Sequence, residues 1–166
     1  MKVKVTPSKV HGNVKIPASK SMAHRALICA SLSDGTSLVS NVTNSKDIEA
    51  TVGCMKALGA IIKQIDETTY EVTGTNLFKQ EGSITCNANE SGSTLRFLIP
   101  LAACTNAKVK FLGQGRLLQR PMDVYANEFK KQNIEFNQSD KEIIVSGNLQ
   151  AKDYVVQGDI SSQFIT

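Results

Sequence analysis

The chain carries one pattern of elements twice. That constrains its fold more than any single motif, because a recurring unit must fold and pack as a unit. In the first copy Gly12-Asn13-Val14-Lys15-Ile16 alternates as a strand does. Residues 20–32 then carry apolar side chains at helical spacing, closed by Asp34-Gly35. Ser37-Leu38-Val39 reads as a short strand. Residues 47–58 read as a second helix, with Ile48, Val52, Met55 and Leu58 on one face and Gly59 where a left-handed cap is wanted. Two strands, 61–65 and 69–72, finish the unit, joined by Asp66-Glu67 and ended by Gly74.

The same order returns about seventy residues later: strand 83–86, helix 92–103, strand 108–112, helix 122–132, then strands 134–137 and 142–145. Arg25 maps onto Arg96, Gly59 onto Asn133 and Gly74 onto Gly147. Asn is the usual replacement for Gly in a left-handed cap, so the match is chemical as well as positional. Two β-α-β-α-β-β units are expected, at about 12–74 and 82–147, giving a mixed α/β (α+β) fold. A third begins at 154–166, with Tyr154-Val155-Val156 as its first strand and residues 159–164 opening its first helix. A chain stopping in the first turn of a helix leaves its strand without a covering layer, so 1–166 is expected to be a fragment, an incomplete domain.

Each strand-to-helix junction is rich in small hydroxyl residues: Pro17-Ala18-Ser19-Lys20-Ser21, then Glu90-Ser91-Gly92-Ser93-Thr94, then Ser161-Ser162-Gln163. Ser and Thr are ordinary helix caps, so any one junction has a purely structural reading. Together, three helix openings with free N–H groups make a set of anion sites. Lys20 sits at the first opening, where it opposes the helix dipole and needs a counter-charge from outside the helix. Arg25 lies four residues after Ser21 and Arg96 four after Gly92, so each projects from the face of its own helix opening. The loop Gly113-Gln114-Gly115-Arg116-Leu117-Leu118-Gln119-Arg120-Pro121 adds two guanidinium groups suited to gripping phosphate or carboxylate. The repeat is expected to bring the three junctions to one end, around a polyanionic small molecule.

Composition narrows the partners. The 19 basic and 15 acidic residues give a net charge of +4 without the basic stripe of a nucleic-acid binder, and Trp is absent. No apolar run approaches the roughly 18 residues of a membrane span, and the N-terminus does not open as a signal peptide, so a cytoplasmic chain is expected. Cys29, Cys54, Cys86 and Cys104 are widely spaced, with only His11 and His24 to join them, so four buried thiols are expected and no metal site.

Pro17-Ala18-Ser19-Lys20-Ser21 with Arg25, Gly92 with Arg96, Gly115-Arg116 with Arg120-Pro121, and Gly158-Asp159-Ile160-Ser161-Ser162-Gln163-Phe164 resemble, in order, the signatures of the 5-enolpyruvylshikimate-3-phosphate synthase family. The resemblance implies an inside-out α/β barrel of two domains, each with three such units. This chain would be most of the N-terminal domain, with residues 1 to about 12 belonging to the other. It implies 3-phosphoshikimate contacts at Lys20, Ser21, Arg25, Ser161 and Ser162, and phosphoenolpyruvate contacts at Lys20, Gly92, Arg120 and Gln163. Glu90, Ser93, Arg96 and Arg116 stand beside them with weaker claims. Glu90 replaces a family Asn; it can favour the helix dipole or pair with Arg96. The activity implied is transfer of the enolpyruvyl group of phosphoenolpyruvate to the 5-hydroxyl of shikimate 3-phosphate, in aromatic amino acid biosynthesis. It implies a glyphosate target, monomeric at full length, with no cofactor and with its acid and base carboxylates in the absent C-terminal part. The alternatives are a UDP-N-acetylglucosamine enolpyruvyl transferase, whose first motif lacks Ser-Lys-Ser with the following Arg, and a non-catalytic anion-binding module.

Overall fold

The computed structural model describes residues 2–9, 11–156 and 158–166. Met1, Val10 and Gln157, which fall in the expected N-terminal segment and third unit, lie outside the described residues. In chain order the helices and strands are α1 (Lys20–Leu32), β1 (Thr36–Val39), α2 (Lys46–Ala57), β2 (Ile61–Gln64), β3 (Tyr70–Thr73), β4 (Glu81–Asn87), α3 (Gly92–Ala102), β5 (Asn106–Leu112), α4 (Asp123–Lys130), β6 (Glu135–Gln138) and β7 (Ile143–Ser146). Each of the first three helices starts where a serine offers its hydroxyl to the first turn: Ser19 to the Met22 N–H, Ser45 to Ile48 and Ser91 to Thr94.

The strands form two sheets, β1-β3-β2 and β4-β5-β7-β6. In the second, β4 and β5 run parallel from Glu81↔Asn106 to Asn87↔Leu112, with α3 as the crossover; the other pairs are antiparallel. The first sheet repeats this order without its first member, because β1 pairs only with β3. The fold is mixed α/β. Gly59 and Asn133 both adopt positive φ, +100° and +57°, so the two units turn out of their second helices by the same left-handed step.

Two expected strands do not form. Residues 12–16 and 154–156 enter neither sheet. Val14 and Ile16 stay 86% and 82% exposed. Alternation marks which side chains would share a face, but a strand exists only with a hydrogen-bonded neighbour, and neither segment has one among the described residues. The expected third-unit helix is a single 3-10 turn over Ser162–Phe164. In α4, the expected 122–132 shortens to Asp123–Lys130, because residues 131–133 turn toward Asn133.

The core lies where α1, α2 and α3 meet the sheets, and Leu27, Ile48, Met55, Leu98 and Phe111 are fully buried there. Of the thiols expected to be buried, Cys54 and Cys86 are; Cys29 is exposed and Cys104 half-buried. Cys29 and Cys104 instead line an apolar cavity of about 450 Å³ between α1, α3 and α4.

Candidate functional site

The opening of α3 gathers Gly92, Ser93, Arg96, Arg120 and Gln163 from among the expected anion ligands. Gly92 is pressed so closely by the Arg120 Nη1 that a Cβ there would overlap it, and Arg96 Nη1 would lie 3.7 Å from the same point. Arg96 donates to Gln163 Oε1 at 2.6 Å, and Gln163 Nε2 donates to Ser93 Oγ at 2.7 Å. The start of the third unit is thereby fastened to the start of the second. Ser161 caps this turn by accepting the Gln163 N–H. Phe164 anchors it below, buried against Tyr125 and under the Arg96 guanidinium.

The same turn reaches the first unit. Arg25 donates to Thr166 Oγ1 at 2.8 Å and to the Ser21 carbonyl at 2.9 Å, while Thr166 donates to the Ser162 carbonyl. The Arg25 guanidinium lies 4.8 Å from the Phe97 ring centroid. Lys20 makes a 2.5 Å ion pair with Asp47, at the start of α2. The counter-charge that Lys20 needs therefore comes from the protein itself. Asp47 and Thr166 were not among the expected site residues. An acid in the first turn of the neighbouring helix is the sequence signal for the former; Thr166 gives none.

Among the described residues, no ion pair involves Arg25, Arg96 or Arg120. Arg96 Nε is buried without a hydrogen-bond partner. Burial lowers the Arg96 pKa from its ordinary value and the charge of Arg120 lowers it further, so the protein holds two cations together at a cost that an anion placed beside them would offset. Glu90 does not relieve it. Its Oε1 lies 2.6 Å from where a Cβ of Gly115 would stand, and it forms no pair with Arg96. Arg116 is exposed, and among the described residues it forms no ion pair. The apolar cavity adjoins this region, with Arg25, Arg96, Phe97, Gln163, Phe164 and Thr166 among its lining residues.

Known proteins resemble this chain along nearly its whole length. The family model described as EPSP synthase (3-phosphoshikimate 1-carboxyvinyltransferase) matches residues 4–166. A 3-phosphoshikimate 1-carboxyvinyltransferase of Clostridium perfringens (strain SM101 / Type A) is 46% identical over 167 residues, covering 99% of this chain and 39% of that protein. The enzyme of the same name from Clostridioides difficile (strain 630) is 45% identical, covering 99% and 40%. The chain thus spans well under half the length of these curated relatives. An EPSP synthase structure from Acinetobacter baumannii superposes with a TM-score of 0.76 at 17% identity, covering 92% of this chain and 37% of that one, a likeness of fold. A match running from residue 4 to Thr166 leaves one conclusion: the chain belongs to the EPSP synthase family.

Proposed function

We propose that this chain is the substrate-gripping first part of a 3-phosphoshikimate 1-carboxyvinyltransferase. The observation that carries the reading is the pair Arg96 and Arg120, held against Gly92 with no carboxylate between them. Lys20, Ser21, Arg25, Ser161 and Ser162 hold shikimate 3-phosphate on this reading. Lys20, Gly92, Arg120 and Gln163 hold phosphoenolpyruvate, with Arg96 acting through Gln163 and the neighbouring field.

In the complete protein the phosphoenolpyruvate methylene carbon takes a proton and the 5-hydroxyl oxygen of shikimate 3-phosphate bonds to the adjacent carbon, losing its own proton. The resulting ketal then expels inorganic phosphate and gives up a proton from its new methyl group to restore the double bond. Charge accumulates on phosphate and carboxylate oxygens throughout. Fixed cations and N–H groups aimed at such oxygens are worth about 10²–10³ in rate per donor where measured. The described residues supply this field and the positioning; the acid and base groups belong to the rest of the protein. On the same reading the complete enzyme is a cytoplasmic monomer without a cofactor.

Calorimetry on this chain tests the reading. Shikimate 3-phosphate is expected to bind and nucleoside phosphates not, with negligible turnover when phosphoenolpyruvate is added. Equal binding of nucleotides would favour a general anion-binding module, and near-complete activity would refute the division of labour.

A further inference from the structure

Behind the opening of α3 lies a buried polar chain that the proposed chemistry does not use. His24, on the inner face of α1, is fully buried, and its ring meets Phe97 edge-on at 6.5 Å between centroids. His24 Nδ1 lies 2.7 Å from Thr51 Oγ1 of α2, and Thr51 Oγ1 lies 2.7 Å from Thr94 Oγ1 of α3. Thr94 Oγ1 then reaches Ser91 Oγ at 2.7 Å. Ser91 also caps α3 by accepting the Thr94 N–H at 3.2 Å. The Asp47 carbonyl stands 3.3 Å from both threonine hydroxyls. All four side chains are buried, and the chain crosses the three helices to end one residue before Gly92.

Four polar groups in a row are costly in a core unless each is matched, and here every polar atom is matched except His24 Nε2. That exception sets the tautomer of the ring. A buried N–H with no acceptor is a rarer and costlier defect than an acceptor left bare, so the proton belongs on Nδ1. Nδ1–H then donates to Thr51. Each threonine hydroxyl, with one hydrogen to give, directs it along the 2.7 Å contact in preference to the 3.3 Å one to the Asp47 carbonyl, Thr51 to Thr94 and Thr94 to Ser91. Ser91 Oγ receives both the hydroxyl and the amide of Thr94, so it acts as the acceptor at the cap. Burial drives the imidazole pKa down, with Lys20 and Arg25 adding to the effect and Asp47 opposing it, which keeps the ring neutral as this chain requires.

We infer that His24 is a positioning residue for anion binding: through Thr51, Thr94 and Ser91 it fixes the hydrogen-bond direction at the cap of α3 and the orientation of the Gly92 and Ser93 amides. The inference rests on the proposed role of that opening as a phosphate or carboxylate seat.

The test begins with the ligand-free chain. Long-range ¹⁵N–¹H spectra of His24 are expected to show the Nδ1–H tautomer, and the Nε2–H tautomer would overturn the inference. His24→Asn keeps a donor near the Nδ1 position, His24→Gln moves it toward Nε2, and His24→Leu removes it. Phosphoenolpyruvate affinity, measured with shikimate 3-phosphate saturating, is expected to stay within about threefold for His24→Asn and to fall about tenfold for the other two, at equal folded fraction by circular dichroism. Thr94→Val is expected to add little to His24→Leu, as for two links of one chain. Losses that merely follow thermal stability across all three variants would make His24 a packing residue and overturn the inference. If the unaltered chain fails to bind shikimate 3-phosphate, the proposed function fails, and the Gly92 and Ser93 amide shifts then decide separately. Displacement by His24→Leu and not by His24→Asn supports the positioning role, and equal shifts in both overturn it.

Discussion

Arg96 and Gln163, 67 residues apart in the chain, are joined by a 2.6 Å hydrogen bond from the guanidinium to the amide oxygen. The neutral amide orients Arg96 without cancelling its charge. Replacing it by a carboxylate should do both. Gln163→Glu is expected to hold or raise the melting temperature, since a half-buried pair to Arg96 gains a charge-assisted bond. It is expected to weaken binding of shikimate 3-phosphate and phosphoenolpyruvate by more than Gln163→Ala does. Calorimetry with thermal melts checks this, and unchanged affinity in Gln163→Glu would detach Arg96 from the anion site.

Two glycines separate function from packing. At Gly92 a Cβ would meet the far end of the Arg120 side chain, which can swing away; at Gly74 it would meet the Ser33 backbone carbonyl, which cannot. Gly92→Ala is therefore expected to keep or slightly raise stability while phosphoenolpyruvate affinity drops about tenfold. Gly74→Ala is expected to cost about 1–3 kcal/mol, the usual range for overpacking. Urea unfolding and calorimetry on both variants test the contrast.

The helices were readable because their signals are local. Ser19, Ser45 and Ser91 cap where a small hydroxyl precedes an apolar period, and Gly59 and Asn133 end the second helix of each unit as their shared chemistry predicted. The strands at 12–16 and 154–156 were misread because alternation says nothing about whether a neighbour is present. Gly92, Ser93, Arg96, Arg120 and Gln163 were legible as a group through the repeat. The Lys20–Asp47 pair and the His24 chain were not, because each joins helices whose relative rotation only packing decides.

The buried imidazole also gives stability a pH dependence. His24 has a lowered pKa when folded and an ordinary value near 6.5 when unfolded, so below that pH the unfolded chain binds the extra proton. Stability from this group is complete above about pH 6.5 and declines as pH falls, with a slope of up to about 1.4 kcal/mol per pH unit. Urea unfolding between pH 7.5 and 5.5 should show that decline, and His24→Asn should flatten it. Identical slopes in the two proteins would mean that His24 is protonated in the native state.

Titration of shikimate 3-phosphate into the ¹⁵N-labelled chain, followed by amide shifts, probes the convergence of the three helix openings directly. The account predicts that the amides of Ser21, Gly92, Ser93 and Gln163 move along one saturation curve with a single dissociation constant, weakened by Arg120→Gln. Shifts confined to one opening, or separate midpoints for Ser21 and Gly92, would contradict it.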